Sequence, residues 1–86
     1  MGNDLPKIVW KKLNRAWGYA DAEKNTIWLD PRLDDATMAD TGIHEGLHIL
    51  CPYMDETEVV RVSGGLASLI IRLGFRRIET IEGDDE

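Results

Sequence analysis

Short runs of alternating apolar and polar residues occupy the first third of the chain and predict β-strands. The three runs are residues 7–11 (KIVWK), 16–20 (AWGYA) and 26–29 (TIWL). Pro31 ends the third run, and the polar residues 21–25 have the length of a hairpin loop. The simplest assembly of these strands, over about residues 7–30, is a short antiparallel three-stranded meander.

A helical period replaces this alternation in the second half of the chain and predicts two helices. Asp34 or Asp35 caps the first helix, over about residues 34–50, and Asp55 caps the second, over about residues 55–73. A linker of about four residues makes the helices antiparallel neighbours. The apolar positions of the second helix follow the helical period and form a stripe: Val59, Val62, Leu66, Ile70 and Leu73.

The predicted fold is therefore α+β, with three strands followed by a helical hairpin, in a single domain over residues 1–86. The acidic residues 79–86 (ETIEGDDE) are expected to be a solvated end. Four glycines interrupt the predicted helices, although glycine is a poor helix former. Close approach of the two helices is the role predicted for them: Gly42, Gly46, Gly64 and Gly65.

Size and charge limit the classes of function. A chain of 86 residues buries only roughly 60–65% of its unfolded surface, so a bound metal or a partner would help its stability. The net charge of −6 argues against a phosphate-binding surface, and nucleic acid is not expected as a partner. The single Cys51 suits a reducing compartment, and no apolar run has the length of a membrane span or a signal core. We expect a cytoplasmic protein that does not contact a membrane.

Residues 44–48 (HEGLH) form an HExxH motif inside the first predicted helix. Residues four apart lie on the same face of a helix, so the imidazoles of His44 and His48 can hold one metal ion. Glu45 projects beside that ion, where it can accept a proton from an activated water molecule. The motif therefore predicts a zinc site with Glu45 as the catalytic base. The alternative interpretation is a pair of surface histidines on an exposed helix face.

Catalytic zinc needs a third protein ligand, and the chain has no third histidine. An antiparallel hairpin brings the end of the first helix opposite the start of the second, where Asp55, Glu56 and Glu58 lie. Asp55 and Glu58 are expected to form a capping box with backbone N–H groups. Glu56 is therefore the preferred third ligand, Glu58 is the main alternative, and Cys51 is a less favoured one.

An HExxH motif followed by a carboxylate on the next helix resembles the gluzincin arm of the zincin metallopeptidases. The whole layout resembles very small metallopeptidases of phage and bacterial genomes, over segments 17–19, 26–33, 43–48 and 73–77. The resemblance implies a minimal zincin-like domain with one zinc ion per chain, held by His44, His48 and a downstream glutamate. It also implies that Glu45 is the general base and that a peptide or protein substrate lies along a strand edge.

Two functions from different classes are compatible with these residues. The first is a zinc-dependent hydrolase, most concretely a metallopeptidase, in which Glu45 passes a proton from water to the leaving amine. The second is a non-catalytic protein-binding module of the same fold, in which zinc is structural or absent and a tryptophan-rich surface meets a protein partner. That surface would consist of Trp10, Trp17 and Trp28. The sequence favours the hydrolase, because structural zinc has little use for Glu45.

Overall fold

The computed structural model describes residues 5–78 of the chain. Its elements are β1 (Lys7–Trp10), β2 (Gly18–Asp21), β3 (Thr26–Leu29), α1 (Asp35–Leu50) and α2 (Glu56–Arg72). The α+β class, with three strands followed by two helices, is confirmed. The acidic segment 79–86 lies outside the described residues. Neither α1 nor α2 combines the length and the hydrophobicity needed to cross a bilayer.

The sheet is mixed, so the predicted antiparallel meander is wrong. Strand order is β1-β3-β2, with β3 in the centre. The predicted hairpin between β2 and β3 is present, whereas β1 pairs parallel with β3 and places Ile8 opposite Ile27. The central strand is also the most buried one, since Thr26, Ile27 and Leu29 are all buried. The strand with the greatest β-propensity and burial therefore takes the position with two ladder partners.

A crossing segment at the end of β3 explains how β1 and β2 come to flank the central strand. Residues 11–17 pass this end, where the Asp30 carboxylate accepts a hydrogen bond of 3.0 Å from the Leu13 backbone N–H. The Asp30 N–H in turn donates to the Trp17 carbonyl at 3.0 Å. The Arg32 side chain donates to the same carboxylate at 2.8 Å and holds the pKa of Asp30 well below its usual range. The bonds from Asp30 to Leu13 and Trp17 join residues distant in sequence, so the alternation pattern does not contain them.

The helices begin at the predicted caps. The Asp34 carboxylate accepts the Thr37 N–H at 2.8 Å, and the Asp55 carboxylate accepts the Glu58 N–H at 2.8 Å. Gly74, with a φ of 98°, follows the last turn of α2 in the left-handed conformation that glycine tolerates. Local sequence signals therefore fix both helix boundaries.

Helix α1 lies on the sheet and α2 lies on α1, so the described chain has three layers. Gly42 and Gly46 face β3, and a Cβ atom at Gly42 would lie 3.6 Å from the side chain of Leu29. A Cβ atom at Gly64 or Gly65 would have no neighbour within 4 Å. The predicted role of the glycines in helix–helix approach is therefore wrong, because the first pair brings α1 close to the sheet instead.

The buried face of α2 is rotated away from the predicted stripe. Val59 is buried as expected, but the other buried residues are the small Ser63 and Ala67. Leu66 and Leu73, which belong to the predicted stripe, are exposed. Small side chains let α2 lie close to α1, and this contact turns the larger apolar side chains outward.

Gly18 lies where α1 crosses β2, and alanine at this position should destabilise the fold. An added Cβ atom would lie 2.9 Å from the Trp28 carbonyl oxygen and 2.8 Å from a Leu29 methyl group. Because one of these neighbours is backbone, we expect Gly18→Ala to lower the free energy of unfolding by about 1–3 kcal/mol. Gly64→Ala is the matched control. The surroundings of Gly64 are open, and alanine is more favourable than glycine inside a helix by about 1 kcal/mol. Urea unfolding measures both variants, and a Gly18→Ala protein as stable as the native chain would contradict the close packing.

Candidate metal centre

His44 and His48 lie one turn apart on the side of α1 that borders the start of α2. Their ring centroids are 4.9 Å apart, and the ring planes are inclined at 72°. Both side chains are half-buried, with exposed fractions of 24% and 38%. The spacing of four residues on a helix places the two rings on the same face in this edge-to-face arrangement, as the motif predicts.

Glu56, the first residue of α2, completes a cluster with the two histidines. One carboxylate oxygen lies 3.3 Å from His44 Nε2, and the other lies 3.3 Å from His48 Nε2. One donor atom from each of the three residues lies within 4.8 Å of the other two. The first turn of a helix also favours a negative charge, because its backbone N–H groups point toward it. The structure therefore brings together both histidines and the preferred carboxylate.

The spacing and the donor types of this cluster fit a zinc ion. Two ligand atoms at about 2.0–2.1 Å from a tetrahedral zinc ion lie about 3.3 Å from each other. Each Nε2 atom lies 3.3 Å from one carboxylate oxygen of Glu56, a different oxygen for each histidine. A charge-assisted hydrogen bond would be shorter, at about 2.7–2.9 Å. Two imidazole nitrogens and one carboxylate oxygen are also the donor set of one class of catalytic zinc site. The three residues could therefore hold a metal ion.

The alternative ligands have other partners. The Glu58 carboxylate accepts a hydrogen bond of 2.8 Å from the Arg61 guanidinium, so its side chain forms an ion pair rather than the expected half of a capping box. The side chain of Cys51 interacts with the Tyr53 hydroxyl and raises its pKa. Among residues 5–78, the ligand cluster contains neither Glu58 nor Cys51.

Glu45 is half-buried beside the cluster and lines a cavity of about 260 Å³. Burial raises the pKa of its carboxyl group, and the charge of Glu56 adds to this effect, while His44 and His48 oppose it. A raised pKa makes a carboxylate a stronger proton acceptor. The other residues that line the cavity come from β2, the segment before it, and α1: Trp17, Gly18, Asp40, Thr41 and His44.

The three tryptophans have different surroundings. The Arg77 guanidinium lies 4.0 Å from the centre of the Trp10 ring, and Trp28 stacks on Tyr19 with centroids 4.7 Å apart. Trp17 is 63% exposed and lines the cavity beside the HExxH motif. Sequence reasoning missed Trp17 as part of the site, because no local pattern indicates which segment meets α1. A protein partner on a tryptophan-rich surface stays a prediction.

A larger cavity of about 590 Å³ lies away from the ligand cluster, between residues 13–17 and the segment after β3. Its buried carboxylate, Asp30, already accepts hydrogen bonds from Leu13 and Arg32. These contacts hold the crossing segment in place. The smaller cavity, which His44 and Glu45 line, is the one that borders the ligand cluster.

Comparisons of the chain with protein-family models, with curated proteins and with solved structures give no match. The resemblance to the zincins therefore stays a prediction from the sequence. The functional interpretation depends on the geometry of the cluster and of the cavity beside it.

Proposed function

We propose that the protein is a zinc-dependent hydrolase, most concretely a minimal metallopeptidase. The observation that carries this proposal is the convergence of His44, His48 and Glu56 on one point, with Glu45 half-buried at the adjacent cavity. Structural zinc is closed by four protein ligands, whereas the cluster among the described residues has three. A three-ligand site leaves a coordination position for water or substrate, as catalysis requires.

The residues around the cluster divide the chemistry between them. A bound zinc ion supplies Lewis acidity, which polarises a carbonyl group and activates water for attack. His44 and His48 would hold the ion through ring nitrogens, and the Glu56 carboxylate would contribute the negative charge. Glu45 accepts the proton that the attacking water loses and delivers it to the leaving amine.

The position of the cavity favours an extended peptide as the substrate. Gly18, at one wall of the cavity, is also the first residue of β2, which is an edge strand of the sheet. A peptide that pairs with the free edge of β2 would pass beside Glu45. The volume of about 260 Å³ is below the range of about 300–1,000 Å³ typical of small-molecule sites. It suits one side chain of a bound peptide.

Zinc should bind at one equivalent per chain and stabilise the fold. At a free zinc concentration of one hundred times the Kd, the stabilisation is about 2.7 kcal/mol, which raises the Tm of so small a domain by roughly 10–20 °C. Affinity should fall as the pH is lowered, because histidine must be unprotonated to coordinate a metal ion. Metal content by mass spectrometry, on protein purified without chelator, and melting curves with and without zinc measure these effects. A Tm indifferent to both zinc and chelator would remove the metal centre from the proposal.

A further inference from the structure

Helix α2 carries an apolar stripe that the rest of the described chain leaves uncovered. Leu66, Leu69 and Leu73 have exposed fractions of 43%, 51% and 65%, and Val62 beside them is half-buried. Spacings of four, three and four residues place these four side chains on one narrow strip of the helix surface. Because α2 contacts α1 and makes no contact with the strands, no strand covers the strip within residues 5–78, and its three leucines stay exposed.

Two charged residues and a glycine form a second row along one side of this stripe. Glu58, Gly65 and Arg72 repeat every seven residues, so they lie above one another beside Val62 and Leu69. Gly65 is in the middle of the helix, where glycine is a poor helix former. Among residues 5–78, apart from its chain neighbours and the backbone of its own helix, no atom lies within 4 Å of the position that its Cβ atom would take. The row therefore has a glutamate at one end and an arginine at the other. The glycine between them leaves room for another helix to approach closely.

The stripe and the row are self-complementary, which means that each can pair with the same surface of a second copy of the chain. An antiparallel second copy of α2, centred between residues 65 and 66, places Val62 opposite Leu69 and Leu66 opposite Gly65. The same alignment places Glu58, which pairs with Arg61 in its own chain, within reach of Arg72 of the second copy, and the two-fold axis repeats each contact. A parallel copy would set like charges beside each other, which is unfavourable.

We propose that the exposed stripe of α2 binds the same stripe of a second copy, and that the protein is an antiparallel two-fold dimer. Leucine and valine side chains would fill the seam, and the Glu58–Arg72 pairs would set its direction. Glu56 is 64% exposed and belongs to the cluster with the α1 histidines, on a different side of α2 from the stripe. The dimer therefore forms without zinc, and its test does not depend on the proposed hydrolase.

Sedimentation equilibrium of the full chain, over concentrations from about 1 µM to 1 mM, tests the dimer directly. We expect Leu69→Asp to raise the dimer Kd by about 30-fold or more, as loss of a central apolar contact does. Val60→Asp is the matched control, since Val60 is similarly exposed, at 54%, on another side of the same helix. We expect this control to stay within about twofold of the native Kd.

A charge exchange tests the antiparallel direction. Arg72→Glu alone should weaken association, because it places Glu58 of one copy opposite a new glutamate of the other. Glu58→Arg together with Arg72→Glu should restore the native Kd within a few-fold. Either of two results overturns the proposal. The first is a native chain that stays monomeric at 1 mM, which would mean that the stripe binds a different protein. The second is an equal increase of the dimer Kd in Leu69→Asp and Val60→Asp. Failure of the double variant to recover affinity would overturn the antiparallel arrangement.

Discussion

Replacement of Glu56 by alanine should weaken zinc binding by far more than the 10–100-fold that is typical when a group behind a metal ligand is changed. Glu56 supplies one of the three donors, and its two carboxylate oxygens each lie 3.3 Å from one histidine. No substitute is at hand in the described structure, because the nearby Glu58 carboxylate is paired with Arg61. Two histidines alone do not hold catalytic zinc.

Glu58→Ala is the matched control for this prediction. It removes an acid from the same turn of α2, together with an exposed ion pair to Arg61 that contributes little stability. We expect full zinc stoichiometry in Glu58→Ala and a substoichiometric metal content in Glu56→Ala, both by mass spectrometry after dialysis. The opposite pattern would show that Glu58 is the ligand and that the assignment of Glu56 is wrong.

The second large effect is expected at Glu45. Glu45→Gln should lower kcat/KM for peptide hydrolysis by about 10²–10⁴, because the amide has nearly the shape of the carboxylate but cannot accept the proton. Zinc content and Tm should stay close to native, since Glu45 lies beside the ligand cluster and not in it. A pool of fluorogenic peptides, with zinc content measured on the same preparation, gives both readouts.

Glu58→Gln provides the matched control for Glu45→Gln, since it makes the same chemical change outside the cavity and should leave hydrolysis unchanged. Release of zinc from Glu45→Gln would assign Glu45 as a ligand and contradict its role as a base. Unchanged hydrolysis in a zinc-loaded Glu45→Gln protein would exclude the proposed mechanism. Zinc binding without any hydrolysis by the native chain would favour the protein-binding module.

The parts of the fold that depend on neighbouring residues could be predicted from the sequence. Asp34 and Asp55 cap their helices through N–H groups three residues away, and such signals are visible in a short window. Strand order could not be predicted in this way, because it depends on hydrogen bonds between Asp30 and residues far from it in sequence. One of these bonds joins Asp30 to Leu13, which is 17 residues away, and another joins it to Trp17. The rotation of α2 about its own axis depends on how Ser63 fits against α1. The pattern of large apolar residues along the sequence does not show this fit.

In the candidate site, too, the features that depend on nearby residues could be predicted from the sequence, and those that depend on distant residues could not. The spacing of His44 and His48 predicts their common face, and the hairpin topology predicts that the start of α2 lies near them. Elimination by the capping box favoured Glu56 over Glu58, although the structure shows Arg61 as the partner of the Glu58 side chain. The cavity wall at Trp17 was not predictable, because it depends on the crossing segment that Asp30 holds. The metal itself stays a prediction.

The three clustered side chains come from one short stretch of chain, residues 44–56, whereas the cavity wall at Trp17 and Gly18 comes from a distant one. In the proposed enzyme, ion binding and substrate selection would therefore depend on separate segments of the chain. Variation before and within β2 can change what enters the cavity and leave the ligands in place. Conversely, the stretch 44–56 contains all three clustered side chains, with the end of α1, the linker and the start of α2, so we expect the cluster to depend on the local geometry of this helical hairpin.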